Sequence, residues 1–149
     1  MKKILLIGKR GFLGNYLNKY LKEQFKIKFI SFKEIGKIKK TIIKYDFIIN
    51  TSINENYIKN RYNKIFDNDL QISNVLDPTR NTFIFLSSRK VYKSKDNIKE
   101  SDKLKPLSNY AKNKVITEKF LRNKFKSNIL ILRISNIIGN KLKFKKNLH

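Results

Sequence analysis

The sequence predicts an α/β domain built on a doubly wound parallel sheet with helices on both faces. Three observations predict this fold. Short strands that are apolar on both faces alternate with segments of helical period, and a glycine-rich turn follows the first strand. The chain has 149 residues, of which 40% are hydrophobic, and this is enough for one buried core.

The first half of the chain alternates three strands with two helices. The strands are apolar runs (KILLI, IKFISF and DFIIN), and the first helix repeats leucine every four residues. The second helix is weaker because Gly36 interrupts it. In order, these elements are Lys3–Ile7, Phe12–Phe25, Ile27–Phe32, Glu34–Lys44 and Asp46–Asn50.

The second half continues with two helices and two strands around a charged loop. A helical apolar period precedes Asp77 and Pro78, which end that helix, and TFIFLS follows as a strand. The last helix closes on lysines, which suit the negative end of its dipole. In order, these segments are Asn54–Leu76, Thr82–Ser87, the loop Lys93–Leu107, Asn109–Lys126 and Asn128–Ile134.

The composition excludes several classes of function. There is no cysteine and the one histidine is His149, so neither a thiolate nor a histidine metal site is expected. No apolar run reaches the length of a membrane span, which predicts a soluble cytoplasmic protein without a membrane partner. The net charge of +24 comes mostly from lysines spread over the whole chain, which favours composition bias over a specific nucleic-acid partner.

A glycine motif directly follows the first strand. Gly8, Gly11 and Gly14 are spaced GxxGxxG and open the first helix, where backbone amides can receive a pyrophosphate that any Cβ would block. The motif in this position predicts a Rossmann-type dinucleotide-binding domain. The cofactor is NADP or NAD. Arg10 in the glycine turn and Lys33 after the second strand favour the 2′-phosphate of NADP.

A serine, a tyrosine and a lysine form the candidate catalytic set. Tyr110 and Lys114 lie four residues apart on one face of the last helix, and the ammonium lowers the phenol pKa. Ser88 ends the fourth strand at the carboxyl edge of the sheet, where it can orient a substrate oxygen beside the tyrosine. The neighbouring Ser87 is an alternative for that role. The set predicts hydride-transfer chemistry on a hydroxyl or carbonyl carbon.

Five segments, in this order, resemble the extended short-chain dehydrogenase/reductases, the NAD-dependent epimerases and dehydratases that act on nucleotide sugars and include the dTDP-4-dehydrorhamnose reductases. The segments are GKRGFLG at 8–14, DFIINTS at 46–52, FLSSRKVY at 85–92, NYAKNK at 109–114 and LRISNIIG at 132–139. The resemblance implies a nicotinamide cofactor, a nucleotide-sugar substrate, and catalysis by Ser88, Tyr110 and Lys114.

The resemblance also implies roles for residues around this set. The pyrophosphate would accept hydrogen bonds from the backbone amides of Phe12 and Leu13. Tyr110 and Lys114 would contact the cofactor as well as act in catalysis, Tyr110 by shuttling the proton and Lys114 by holding the nicotinamide ribose and tuning Tyr110. A helix asparagine, Asn68, would support the active site. Asn136 would face the substrate, and its alternative role is that of a structural cap. The third strand would line the cofactor through Asn50, Thr51 and Ser52.

Two departures from the family pattern stand out. Too few residues separate the second strand from DFIIN for the usual extra strand and helix, and the family's substrate lobe is expected to be absent. The predicted organisation is an NAD(P)-binding domain at 1–139 and a basic tail at 140–149. A homodimer or a partner chain that supplies the lobe is expected, and the alternative is a non-catalytic NAD(P)-binding or regulatory module.

Overall fold

The computed structural model describes residues 1–138, so Gly139 and the predicted basic tail at 140–149 lie outside the described residues. Its centre is a five-stranded sheet in the order β2-β1-β3-β4-β5, and every neighbouring pair is parallel. The strand order reverses at β1, which confirms the doubly wound fold. The strands are β1 (Lys3–Ile7), β2 (Lys26–Ile30), β3 (Phe47–Asn50), β4 (Thr82–Ser88) and β5 (Ile129–Ile134).

Helices cover the two faces of the sheet unequally. The leucines of α1 (Phe12–Leu21) pack with Ile4, Leu6 and Ile49 on one face, whereas α4 (Asn68–Ser73) and α5 (Asn109–Phe125) pack with Leu5 and Phe83 on the other. Both faces carry helix, as expected, but within residues 1–138 α1 is the one helix that contributes to the core of the first face. The helices are α1 (Phe12–Leu21), α2 (Ile35–Ile38), α3 (Glu55–Lys59), α4 (Asn68–Ser73) and α5 (Asn109–Phe125).

The predicted single helix at Asn54–Leu76 is wrong. Three short pieces replace it: α3, a 3-10 turn at Lys64–Phe66, and α4. Side-chain oxygens of Asn54, Asn63 and Asp67 each accept a hydrogen bond from a backbone amide two or three residues later. Asn and Asp compete in this way with the helical ladder, and each one restarts the helix instead of extending it.

The predicted helix at Glu34–Lys44 is also broken. The structure holds 3-10 turns at Phe32–Glu34 and Ile42–Lys44 on either side of the short α2. This segment contains no strand, which agrees with the expectation that the extra strand of the family pattern does not fit there. Elsewhere the predicted elements are present. The strand Lys3–Ile7 has its predicted ends, and the ends of the others differ by at most four residues, the largest difference being the end of α1 at Leu21.

No helix in the described part of the chain is both long enough and apolar enough to traverse a lipid bilayer.

Candidate functional site

The glycine turn between β1 and α1 is tightly packed against the end of β3. Gly8 has a φ of +122°, and a Cβ there would lie 1.9 Å from the Thr51 hydroxyl oxygen. A Cβ on Gly14 would lie 2.5 Å from the Gly8 carbonyl oxygen and 2.8 Å from the same hydroxyl. These two glycines are therefore required by the fold of the turn itself.

Gly11 is different, because a Cβ at this position would not clash with the rest of the protein. A Cβ there would meet only the Gly8 carbonyl oxygen, at an ordinary 3.5 Å, and its φ of −102° suits any residue. Gly11 is also the N-cap of α1, where no side chain caps the helix and no acidic residue occupies the first turn. The amides of Phe12 and Leu13 open this helix, so the turn fits an anionic group that approaches the backbone closely.

Asn50, Thr51 and Ser52 form the β3 side of this turn. The Thr51 hydroxyl donates to the Ile7 carbonyl at 2.8 Å, which ties the end of β3 to the end of β1. The Asn50 side-chain oxygen accepts from the Ser52 amide and hydroxyl, and the Asn68 side chain donates to that hydroxyl at 3.0 Å. Hydrogen bonds thus tie the predicted cofactor-lining segment together, and Asn68 contacts it through Ser52, while its role in supporting the active site stays a prediction.

The structure places the Glu34 carboxylate near the end of β2, where the sequence predicts only the cations Arg10 and Lys33. Arg10 and Lys33 are both exposed. Glu34 accepts hydrogen bonds from the Ser31 amide at 2.7 Å and the Ser31 hydroxyl at 2.8 Å, and these bonds, with nearby Lys9 and Lys37, lower the pKa of its carboxyl group. Sequence reasoning missed this carboxylate, although Ser31-x-x-Glu34 is the spacing of a capping box.

Ser88 and Tyr110 come together at the carboxyl edge of β4. The Ser88 hydroxyl oxygen accepts from the Lys90 amide at 3.2 Å and starts a 3-10 turn. Tyr110 occupies the first turn of α5, whose N-cap Ser108 accepts from the Ala111 amide. Burial raises the pKa of the Tyr110 phenol, the nearby Ser88 hydroxyl opposes that rise, and the charge of Asp69 adds to it.

Lys114 lies one helical turn after Tyr110 and is buried. Its Nζ is 2.9 Å from the Leu86 carbonyl oxygen, and it lies 4.7 Å from the Phe85 ring centroid and 5.7 Å from that of Tyr110. Burial lowers the pKa of this ammonium, and the charges of Asp69, Asp67 and Glu118 oppose the decrease. The predicted pair on α5 therefore faces the same edge of the sheet as Ser88.

Asp69 lies near this set, although no sequence motif indicates it as a site residue. Its carboxylate is buried and accepts from the Asn50 side chain at 2.8 Å. Burial raises the pKa of Asp69 to about 6, while Lys114 and the Asn50 hydrogen bond act in the opposite direction. Nothing in the local sequence separates this aspartate from a surface one, because α4 is short and its buried face is set by contacts with β3 and α5.

A second hydrogen-bond network, also not predicted from the sequence, joins the end of β4 to α5 and β5. The Ser87 hydroxyl donates to Glu118 at 2.5 Å, and Arg133 donates to both oxygens of Glu118 at 3.0 and 2.7 Å. Although burial opposes its ionisation, these bonds hold the pKa of Glu118 below its ordinary value. Arg133 also donates to the Tyr92 hydroxyl. Ser87 is thus engaged in the interior, which leaves Ser88 as the serine beside Tyr110.

Asn136 lies two residues beyond β5 with an exposed side chain. The structure does not bring it into contact with Ser88 or Tyr110, and its substrate role stays a prediction.

The fold and the edge geometry together define an α/β protein of the Rossmann type. The sequence matches the NAD dependent epimerase/dehydratase family over residues 4–149. The chain belongs to this family. No curated protein matches it.

Solved structures with the same fold include several nucleotide-sugar enzymes. A dTDP-4-dehydrorhamnose reductase from Yersinia enterocolitica is 24% identical, with a TM-score of 0.70 over 93% of this chain and 54% of that one. A dTDP-glucose 4,6-dehydratase from Bacillus anthracis, in complex with NAD, is 17% identical, with a TM-score of 0.73 over 94% and 56% of the two chains. A dTDP-4-dehydrorhamnose reductase from Bacillus anthracis, in complex with NADP, is 16% identical, with a TM-score of 0.68 over 91% and 54%. The chain spans little more than half the length of these proteins.

Proposed function

We propose that this chain is the NAD(P)-binding and catalytic domain of an oxidoreductase, epimerase or dehydratase that acts on a nucleotide sugar. The observation that carries the proposal is the convergence of four features at one sheet edge: the glycine turn, Ser88, Tyr110 and Lys114. Open α/β sheets bind their ligands at this edge, near the point where strand order reverses. Family membership supports the same conclusion.

The glycine turn is the proposed pyrophosphate site. Gly11 leaves open the space that a Cβ would fill, and the amides of Phe12 and Leu13 would donate to the phosphate oxygens. Asn50, Thr51 and Ser52 would line the dinucleotide beyond the turn, and Lys114 would hold the nicotinamide ribose. When bound, the dinucleotide would supply a hydride acceptor or donor.

The residues at this sheet edge have separate roles in binding the substrate oxygen and in transferring its proton. Tyr110 would exchange a proton with the reacting oxygen of the substrate, and Ser88 would hold that oxygen by a hydrogen bond. Because burial raises the pKa of the Tyr110 phenol, the phenolate needs a stabilising positive charge. The ammonium of Lys114, one turn along α5, is placed to provide part of it.

The proposed cofactor is NADP or NAD, with a preference for NADP. Arg10 and Lys33 are exposed near the end of β2, where they can reach a 2′-phosphate. Glu34 is held by Ser31, so its carboxylate is engaged within the turn and is less free to accept the ribose hydroxyls that NAD presents. The engaged carboxylate of Glu34 therefore favours NADP over NAD.

The proposed substrate class is a nucleotide sugar. Solved structures of similar fold include dTDP-4-dehydrorhamnose reductases, a dTDP-glucose 4,6-dehydratase and a UDP-N-acetylglucosamine 4-epimerase from Methanobrevibacter ruminantium. Asn136 is proposed to face this substrate. A homodimer or a partner chain is proposed to supply the remaining substrate contacts.

The test measures cofactor binding and turnover separately. NADPH and NADH are titrated by nicotinamide fluorescence, and turnover is then measured with a panel of dTDP- and UDP-sugars. We expect saturable binding of NADPH, with turnover reduced by about 10²-fold or more in Tyr110→Phe and unchanged in the control Tyr16→Phe on the exposed face of α1. Turnover that Tyr110→Phe leaves intact would remove the catalytic assignment.

The alternative is a non-catalytic NAD(P)-binding module. The observation in its favour is that Lys114 already donates to the Leu86 carbonyl, while burial raises the pKa of Tyr110. In this alternative the cofactor binds but no sugar nucleotide is turned over. Tight NADPH binding without turnover across the panel would favour the module, whereas absence of cofactor binding would contradict both functions.

A further inference from the structure

Three aromatic rings surround the buried side chain of Lys114. Its Nζ lies 4.7 Å from the ring centroid of Phe85, 5.5 Å from that of Tyr57 and 5.7 Å from that of Tyr110. The faces of aromatic rings attract a cation, so these surroundings favour the ammonium over the neutral amine. Burial raises the pKa of both phenols, so neither carries a charge at neutral pH. A buried ammonium also needs a counter-charge, which neither the rings nor the Leu86 carbonyl provides.

Three carboxylates lie close enough to act on the charge of Lys114. They belong to Asp67, Asp69 and Glu118, and each of them raises the pKa of the ammonium against the effect of burial. Asp67 is the N-cap of α4 and Asp69 lies in its first turn, whereas Glu118 follows Lys114 by one turn of α5. Of the three, Asp69 has the largest effect on Lys114.

Asp67 and Glu118 are bound to other groups. The Oδ2 atom of Asp67 accepts hydrogen bonds from the Thr117 hydroxyl at 2.7 Å and the Tyr62 hydroxyl at 3.0 Å. Its Oδ1 atom accepts from a backbone amide at 3.0 Å. Glu118 forms an ion pair with Arg133, in which Oε2 lies 2.7 Å from the guanidinium. These two carboxylates therefore have hydrogen-bond or charge partners of their own.

Asp69 has no such cation or hydroxyl among its partners in the described residues. Its side chain is buried and accepts a hydrogen bond from the neutral Asn50 amide at 2.8 Å. None of the ion pairs within residues 1–138 includes Asp69 or Lys114. The effect between the two groups is mutual, because Lys114 lowers the pKa of Asp69 and Asp69 raises the pKa of Lys114. Opposite charges act in this way when each favours the ionised form of the other.

The position of the Asp69 carboxylate is fixed by the segment at the end of β3. The Asn50 side-chain amide donates both to Asp69 and to the Ser52 carbonyl, at 2.8 and 3.1 Å. The Asn50 side-chain oxygen accepts from the Ser52 amide and hydroxyl. The carboxylate is therefore held at the carboxyl edge of the sheet, where its charge acts on Lys114.

We propose that Asp69 is a positioning residue for Lys114: its carboxylate is the buried counter-charge that keeps the side chain an ammonium and holds it beside Tyr110. Asp69 acts through Lys114 and touches neither substrate nor cofactor. Charges separated by protein interior interact more strongly than charges separated by water, so a direct contact is not required. The consequence for Tyr110 rests on the proposed function, whereas the charge of Lys114 can be measured without cofactor or substrate.

The experiment measures the pKa of Lys114 by NMR in the full chain, with its lysines labelled with ¹³C at Cε. The signal of Lys114 is assigned by its absence in Lys114→Met. We expect Asp69→Asn to lower the pKa of Lys114 by about 1 or more, because the ammonium loses its counter-charge. The control Glu55→Gln removes an exposed carboxylate from α3 and should leave that pKa unchanged. An unchanged amide spectrum verifies that each variant is folded.

Two further measurements separate the charge of Asp69 from its packing. Asp69→Glu retains the charge, so the pKa of Lys114 should stay closer to the wild-type value than in Asp69→Asn. In the wild type, the Cε signal of Lys114 should shift between about pH 5 and pH 7, as Asp69 ionises with a pKa of about 6. The second measurement needs no substitution and stays valid if a variant does not fold.

Turnover provides the readout that joins Lys114 to Tyr110. Because the ammonium stabilises the phenolate, the alkaline limb of kcat against pH should move to lower pH in Asp69→Asn, by the same amount as the pKa of Lys114. Lost packing alone would decrease kcat at every pH and leave the limb in place. A wild-type chain without turnover would contradict the proposed function, while the NMR titration would still decide the charge of Lys114.

Three outcomes would overturn the proposal. One is a pKa of Lys114 that changes no more in Asp69→Asn than in Glu55→Gln. Another is a wild-type Lys114 that is already neutral at pH 7, since Asp69 would then fail to keep it charged. The third is a Lys114 signal in the wild type that does not respond to the ionisation of Asp69.

Discussion

The buried ammonium of Lys114 donates to the Leu86 carbonyl, with Nζ 2.9 Å from the oxygen. The β3–β4 ladder ends at the pair Ile49–Ile84, so the carbonyl of Leu86, which points toward β3, has no strand partner there. The Lys114 ammonium on α5 instead donates to this carbonyl, in place of the β3 amide that would bond it if the ladder continued. The edge of the sheet thereby fixes the position of Lys114 beside Tyr110.

Lys114→Met should decrease both stability and turnover. Lys114 donates to the Leu86 carbonyl and its charge offsets that of buried Asp69, so methionine leaves a buried carbonyl and a buried carboxylate without their partner. We expect a free energy of unfolding at pH 7 about 1–3 kcal/mol below that of the wild type, measured by urea denaturation. Turnover should decrease by about 10²-fold or more because the Tyr110 phenolate loses its neighbouring cation. Lys112→Met, on the exposed face of α5, is the control and should change neither quantity.

Gly11→Ala should remove cofactor binding without unfolding the protein. A Cβ at Gly11 contacts nothing closer than 3.5 Å, but it enters the space proposed for the pyrophosphate. NADPH affinity should decrease by about tenfold or more while the free energy of unfolding changes by less than about 1 kcal/mol. The matched change Gly36→Ala, in α2 where a Cβ meets nothing within 4 Å, should raise stability by about 0.5–1 kcal/mol and leave affinity unaltered. Equal affinity in Gly11→Ala and the wild type would refute the proposed phosphate site.

Asp69→Asn should change the pH dependence of stability. Burial raises the pKa of Asp69 to about 6, above its ordinary value of 3.8, so the folded state binds this proton more tightly than the unfolded state. Ionisation of Asp69 therefore lowers the free energy of unfolding as pH rises from about 4 to about 6, by roughly 3 kcal/mol in total. The asparagine variant lacks this decrease. The difference in unfolding free energy, variant minus wild type, should increase across that interval and then stay constant, and a flat difference would contradict the shift.

Glu118→Gln should destabilise the protein strongly. Arg133 donates to both oxygens of Glu118, and this pair is largely buried. Loss of the carboxylate leaves a guanidinium without its counter-charge, and we expect a cost of about 3 kcal/mol in urea denaturation. The exposed pair of Lys59 and Glu55 provides the comparison, since Glu55→Gln should cost less than about 0.5 kcal/mol. Similar losses of unfolding free energy in the two variants would show that the buried pair contributes no more to stability than the exposed pair.

The motifs of the site could be located from the sequence because each depends on local chemistry. The glycine spacing of Gly8, Gly11 and Gly14 after an apolar strand is a local signal, and the structure explains two of these glycines by contact with Thr51 and the Gly8 carbonyl. The four-residue spacing of Tyr110 and Lys114 likewise follows from helical geometry. The Asn and Asp residues at 54–76 indicate that a helix there can break. The hydrophobic period alone does not show which of these side chains will cap a new helix.

The sequence by itself determined the fold class and the order of the strands along the chain, because hydrophobic period and turn chemistry act over a few residues. Only the tertiary structure decided that Asp69 lies buried near Lys114 and that Glu118, which is bound to Arg133, accepts a hydrogen bond from Ser87. These relationships join residues that are 15 to 45 positions apart in the chain. Burial and pairing over such separations depend on how the sheet and helices pack together, which no local pattern records.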